Sequence, residues 1–160
     1  MTDSIKLLCD HMLGSLAKWL RIFGVDTFYP TTEASDDELL NRAKEEQRMM
    51  LSRDKELIAR AKKEQIPVLQ ITTTNLDEQL QNVLAAVPIN LISQLTRCTI
   101  CNNLLTPVEK NTVKEQVPKK VFETKDKFWL CTTCQKYYWM GTHTENMIKK
   151  IYTLTKKNNT

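Results

Sequence analysis

The sequence predicts an α/β protein, a mostly parallel sheet with helices on both faces, followed by a small β-rich module. Three observations predict it. Short apolar runs alternate with segments of helical period through residues 5–87, that alternation stops between residues 88 and 97, and two Cys-x-x-Cys pairs follow. Regular strand–helix alternation implies parallel strands joined by right-handed crossovers.

Taken in order, Ile5-Lys-Leu-Leu-Cys9 reads as a buried strand. Residues 11–23 place apolar side chains at 12, 13, 16, 17, 19, 20 and 23, the spacing of a helix, which Gly24 stops. Residues 26–30 form a short strand, and residues 35–47 open with the capping sequence Ser35-Asp36-Asp37-Glu38 and read as a helix. A strand over 48–52, a helix over 54–65, a strand over 68–72 and a helix over 76–87 complete the first domain, residues 1–92. In the second, residues 93–160, the runs 112–117, 119–124, 127–131 and 137–141 read as β-like, residues 147–154 as an amphipathic helix, and residues 155–160 as a frayed tail.

The chain has 160 residues, 41% of them hydrophobic, with only three Gly and five Pro. That composition suits a packed protein and excludes a long low-complexity region. The N-terminus lacks the basic start and apolar core of a secretory signal, and no apolar stretch approaches the ~20 residues a membrane helix needs. The expectation is a cytoplasmic protein with no membrane association. The net charge of +4 conceals an asymmetry: residues 1–95 carry 11 Lys/Arg against 14 Asp/Glu, a net of −3, and residues 96–160 carry 12 against 5, a net of +7. A basic module beside an acidic one fits a polyanion held by the second domain and acted on by the first, or else a solvated lysine-rich surface.

Cys98-x-x-Cys101 and Cys131-x-x-Cys134 are separated by 29 residues. In a reducing compartment two such pairs indicate a tetrahedral zinc site rather than disulfides. Four thiolates fill the coordination shell, so this zinc is structural, and the module is expected to be a zinc ribbon. Cys9 stands apart in a strand, as a small core hydrophobe. Around the ribbon, Phe128, Trp129, Tyr137, Tyr138, Trp139 and His143 interleave with Lys119, Lys120, Lys125, Lys127 and Lys136. Rings that stack on bases and lysines that neutralise phosphates suit single-stranded RNA, although a ribbon this small also needs aromatics for its core.

The strand at residues 48–52 runs into Ser52-Arg53-Asp54, and the first strand runs into Asp10. Ligands of open parallel sheets bind beyond the carboxyl ends of the strands, where strand order reverses. If the first and third strands are neighbours, with the second strand on the far side of the first, Asp10 and Asp54 converge, and Asp36 or Asp37 joins them from the start of the preceding helix. Each acid alone is explained by helix capping. Together they suit a Mg²⁺ or Mn²⁺ ion orienting a phosphodiester for hydrolysis, with Ser52 bonding a carboxylate or a metal-bound water and Arg53 pairing with an acid or a phosphate. Lys18 and Arg21, one turn apart on the first helix, either guide RNA phosphates or flank its exposed face.

Several motifs in order resemble a known family: Asp10-His-Met-Leu-Gly-Ser-Leu-Ala-Lys-Trp-Leu-Arg-Ile-Phe-Gly-Val-Asp26, Ser35-Asp-Asp-Glu-Leu-Leu40, Leu51-Ser-Arg-Asp54, Arg97-Cys-x-x-Cys-Asn102 and the segment from Cys131 to His143. They are similar to the Mut-seven C-terminal RNase domain, a PIN-like domain followed by a zinc ribbon, over approximately residues 5–150. The resemblance implies a PIN-like metal-dependent endoribonuclease with Asp10, an acid among Asp36 and Asp37, and Asp54 as its metal-binding set. Ser52 stands where that family's Thr is expected and keeps the hydroxyl. The fourth acid usual in many PIN nucleases has no clear counterpart, Asp77 and Glu78 being the candidates. The competing readings are an inactive module bound to ribosomal or transfer RNA, and a protein-interaction scaffold.

Overall fold

The computed structural model describes residues 4–89 and 95–157. The expected domain boundary at residues 92 and 93 and the last three residues of the tail lie outside the described residues. Eight elements build the first part: β1 (Lys6–Cys9), α1 (Gly14–Ile22), β2 (Asp26–Phe28), α2 (Asp36–Glu45), β3 (Met49–Ser52), α3 (Lys55–Lys63), β4 (Val68–Gln70) and α4 (Leu76–Ala86). All four strands are parallel, in the order β2-β1-β3-β4. The chain therefore leaves β2, crosses β1 and pairs β3 on its other side, so the order switches between β1 and β3.

The strands bury alternate residues on opposite faces. Leu7, Cys9 and Leu51 pack with Leu16, Leu20, Leu80 and Val83 of α1 and α4, while Leu8 and Met50 pack with Leu39, Leu40, Leu57 and Ala61 of α2 and α3. Helices thus cover both faces, as the sequence predicts. Helix α1 starts later than expected because residues 11 and 12 form a turn, closed by Leu13 N–H donating to the Asp10 carbonyl at 3.0 Å. It ends in a Schellman motif, with Gly24 at φ 89° and hydrogen bonds from Gly24 N–H to Arg21 and from Val25 N–H to Leu20. Helices α2 and α3 end in the same bond pattern, with Gln47 and Gln65 in the left-handed position at φ 55° and 60°.

The second part holds a three-stranded antiparallel sheet, β5 (Thr106–Val108), β6 (Phe128–Cys131) and β7 (Lys136–Tyr138), with β6 central. Between β5 and β6 lie a 3-10 turn (Lys110–Val113) and α5 (Lys119–Thr124), and α6 (Thr142–Lys157) closes the chain. Two expectations are corrected. Residues 112–117 and 119–124 are not strands. Val113, Val117 and Val121 recur every fourth residue and, with Phe122, pack on Phe128 from a turn and a helix, and Pro118 sits at the helix start. Strand β5 went unforeseen because it contains Pro107, which an edge strand tolerates.

The two parts share one apolar core on the α1/α4 face. Trp19, Leu20 and Val83 belong to the same buried cluster as Leu95, Trp129, Tyr138 and Ile151. No described helix is long and apolar enough to cross a membrane.

Candidate functional site

The switch point between β1 and β3 brings two of the expected acids to one place. Cys9 pairs with Leu51, and Asp10 N–H extends the ladder to the Leu51 carbonyl, so Asp10 stands level with Ser52 at the carboxyl ends of both strands. The Ser52 hydroxyl donates to Asp10 Oδ2 and accepts from the Asp54 amide at 3.0 Å. Asp10 also accepts from Met12 N–H at 2.9 Å and, more weakly, from Arg53 N–H at 3.4 Å. Both Asp10 and Ser52 are buried, at 1% and 0% exposure, although both are polar. Buried polar groups persist where their bonds are satisfied, and here each satisfies the other. Ser52 has only one proton, which it gives to Asp10, so it positions that carboxylate.

Asp54 is half-buried and caps α3, its Oδ1 accepting from the Glu56 and Leu57 amides. Asp36 opens α2 behind the Ser35–Glu38 capping box, which fixes the helix start near the carboxyl ends of the strands. Asp37 is drawn to Arg60 of α3 in an ion pair. Arg53 is half-buried, and its guanidinium makes no hydrogen bond or ion pair among the described residues. Of the two candidates for a fourth acid, Asp77 is paired with Lys150 of α6, and Glu78 accepts from the Thr73 hydroxyl just before α4.

Among the described residues, the one group of three or more Cys, His, Asp or Glu ligand atoms within metal-binding reach is the cysteine cluster. Asp10, Asp36 and Asp54 therefore make no closed cage. A closed cage is not what Mg²⁺ requires, since it keeps most of its waters and takes only one or two carboxylates from a protein. A cleft of about 620 Å³ beside this end of the sheet is lined by His11, Pro30, Glu33, Ser35 and Glu38. Tyr29 holds the His11 turn, donating its hydroxyl to the His11 carbonyl at 2.9 Å over Gly14, where a Cβ would lie 2.9 Å from that hydroxyl.

The four cysteines converge as the spacing predicts. Their ligand atoms all lie within 4.8 Å of one another, with Cys98 and Cys134 sulfurs 3.9 Å apart and Cys101 and Cys131 sulfurs 3.5 Å apart. Zn–S bonds of about 2.3 Å in a tetrahedron place sulfurs about 3.8 Å apart, so the donor set fits zinc and is too wide for disulfides. Each Cys-x-x-Cys turn aims amide N–H groups at its first sulfur, Ile100 at Cys98 and Cys134 at Cys131, both at 3.4 Å. Asn102 and Gln135, directly after the second cysteines, take left-handed φ of 71° and 55° to complete these turns. Burial pushes the Cys98 thiol up, but the Tyr138 hydroxyl and backbone amides outweigh it and hold the thiol at about 6. Cys134 is pushed up to about 12 by its bonding with Cys101, by burial and by the neighbouring sulfurs. Four thiolates this close need a cation to ionise together.

The first cysteine turn is stitched to β2. Arg21, expected to guide RNA phosphates, is instead buried at 5% exposure. Its Nε donates to the Thr27 carbonyl at 2.9 Å, and its Nη1 to the Thr99 and Ile100 carbonyls at 2.9 and 3.2 Å. The reason is its register on α1: four residues beyond Ala17 and one beyond Leu20, it lies on the buried stripe. The Asn102 side chain accepts from Thr27 N–H at 3.0 Å and donates to Asp26 at 2.7 Å. These bonds occupy the open edge of β2, which would otherwise expose unpaired backbone groups.

The other expected RNA contacts divide by location. Lys18, Lys119, Lys120, Lys136 and His143 are exposed, whereas Tyr137 and Trp139 are half-buried and pack partly on the Phe128 cluster. His143 meets Trp19 edge-on at 5.7 Å. Lys18, Lys136, Tyr137 and Trp139 line one groove, from which Lys119 and Lys120 on α5 are absent. Tyr138, one of the ribbon aromatics, is buried on the core side against Cys98 and Thr99 and supports the first cysteine turn.

Comparison with protein families gives a match of residues 5–151 to the Mut7-C RNAse domain. No curated protein and no solved structure matches the chain significantly.

Proposed function

The chain belongs to the Mut7-C RNAse domain family, and on that premise we propose that it is a metal-dependent endoribonuclease whose second module binds the RNA. The observation that carries this reading is the junction of Asp10 and Asp54 through Ser52 at the switch point of a parallel sheet. Asp10 and Asp54, with Asp36 from the start of α2, would hold a hydrated Mg²⁺ or Mn²⁺. Such an ion supplies charge for the phosphate oxygens and lowers the pKa of a bound water. The protein's own residues do the rest. Ser52 orients Asp10 and ties it to the Asp54 amide, Arg53 offers an unpaired guanidinium for a phosphate, and the α2 and α3 starts fix the spacing of the acids. The four cysteines hold a structural zinc, and the basic second module retains the strand.

A second reading has its own support. Asp10 is buried with its acceptors occupied and Asp54 is a helix cap, as expected of a module that binds RNA without cutting it. The two separate in one experiment. Zinc-loaded protein freed of other divalent ions is incubated with structured and single-stranded RNAs, with Mg²⁺ or Mn²⁺ added back, beside Asp10→Asn. The nuclease reading expects metal-dependent products that disappear in the variant. RNA bound but uncut by the parent protein at every metal concentration sinks it and favours the binding module.

A further inference from the structure

We propose that the groove between α1 and β7 is a nucleobase pocket that receives single-stranded RNA on its way to the carboxylates; it rests on the nuclease reading above. The groove has a volume of about 270 Å³ and is lined by Lys18 of α1, Thr99 of the first cysteine turn, Lys136 and Tyr137 of β7, Trp139 and Thr144. It lies just below the ~300–1,000 Å³ of sites for drug-sized ligands, which suits one flat ring rather than a dinucleotide.

Its chemistry is that of a nucleotide. Tyr137 and Trp139, half-buried and partly packed on the Phe128 cluster, border the groove with Tyr138 and offer apolar area for a base, and two exposed lysines flank them with positive charge for the phosphates. Thr99 and Thr144 add hydroxyls that bond a base edge or a ribose. Lys136 already sits over the Tyr138 ring, with Nζ 5.1 Å from its centre, which orders the cation at the rim. The same Tyr138 hydroxyl contacts Cys98, so the four-cysteine cluster buttresses the pocket from below.

The position matters as much as the lining. Helix α1 begins at Gly14, just past Asp10, and Lys18 lies one turn along it, ~6 Å from the helix start. A strand whose base sits in the groove has its backbone directed along α1 toward the β1/β3 switch point. Each part supplies one wall, and the two meet in the shared core of α1, β6, β7 and α6. Lys119 and Lys120, equally basic and exposed, lie on α5 outside this line.

The test uses full-length zinc-loaded protein and an oligouridylate carrying 4-thiouridine, without Mg²⁺ or Mn²⁺ so that nothing is cut. Crosslinks are mapped by mass spectrometry, and affinity is measured against salt. We expect crosslinks on the peptide containing Tyr137 and Trp139. The double variant Lys18→Glu/Lys136→Glu should bind roughly tenfold or more weakly, with the salt slope reduced by about 1.4 for two lost phosphate contacts. Lys119→Glu/Lys120→Glu should stay within about threefold of the parent. Crosslinks confined to other peptides, equal weakening by both double variants, or no RNA binding at all each overturn the pocket. Cleavage read separately with Mn²⁺ keeps the two proposals apart. Cut RNA with crosslinks elsewhere removes the groove and leaves the nuclease, whereas mapped crosslinks with no cutting by the parent leave the groove and remove the nuclease.

Discussion

Replacing Arg21 with Met tests how firmly the cysteine module is attached to the sheet. The substitution keeps an unbranched apolar stem and removes three hydrogen bonds, to the carbonyls of Thr27, Thr99 and Ile100 at 2.9, 2.9 and 3.2 Å. A hydrogen bond from a charged group contributes about 1.5–3 kcal/mol, and a carbonyl left buried without a donor costs about 1–3 kcal/mol. Against that, Met avoids the desolvation of a guanidinium, whose pKa burial lowers even with Cys9, Cys98, Cys101 and Asp26 opposing it. Taking the two short bonds as the main loss and allowing for that relief leaves a net cost of about 2–4 kcal/mol. In a chain of this size each 1 kcal/mol moves Tm by about 2–4 °C, so Tm should fall by about 4–16 °C. Calorimetry measures it, with Lys18→Met as the exposed control on the same helix. Zinc release to a chromogenic chelator should accelerate as well, because the Thr99 and Ile100 carbonyls belong to the first cysteine turn. A Tm within about 1 °C of the parent, with unchanged zinc release, would refute the role assigned to Arg21.

Removing the zinc should unfold the second part and loosen β2, since Asn102 and Arg21 connect them; a chelator titration followed by Tm and near-ultraviolet dichroism would show an unchanged melt if the cysteines were merely buried thiols. Gln65→Gly should stabilise by about 0.5–1 kcal/mol, because Gln65 holds the left-handed position that ends α3, and a lower denaturant midpoint would count against that assignment. Asp26 governs part of the acid limb. Burial alone would raise its carboxyl, but hydrogen bonds from Arg48 and Asn102 prevail and hold it below the usual carboxylate range. Its stabilising effect is therefore complete above the unfolded value of about 3.9 and fades as pH falls through the lower folded value. Asp26→Asn should flatten stability against pH below about pH 4, and an acid limb as steep as the parent's contradicts this.

Much of this architecture was legible in the chain. Strands at Leu7, Leu51 and Leu69 and helices over Leu16, Leu40 and Leu80 follow from periodicity, and Ser35 and Gly24 mark their ends chemically. The cysteine cluster follows from spacing alone. What failed did so for identifiable reasons. The runs 112–117 and 119–124 resemble strands one at a time, and the four-residue interval of Val113, Val117 and Val121 shows only when the two are taken together. Arg21 was read as a surface cation by its charge, although its register with Ala17 placed it inside. The Asp77–Lys150 pair joins residues more than seventy positions apart, and nothing local in the sequence announces it.

At Asp54 a metal ligand and a helix cap can be told apart. Asn caps helices as well as Asp does, so Asp54→Asn removes the charge while keeping an oxygen for the Glu56 and Leu57 amides, and Asp54→Ala removes both. RNA cleavage in Mn²⁺ and Tm are measured for both variants. The account predicts that Asp54→Asn melts with the parent yet no longer cuts RNA, while Asp54→Ala also loses about 1 kcal/mol of stability. Cleavage by Asp54→Asn at the parental rate would contradict it and leave Asp54 as the cap of α3 alone.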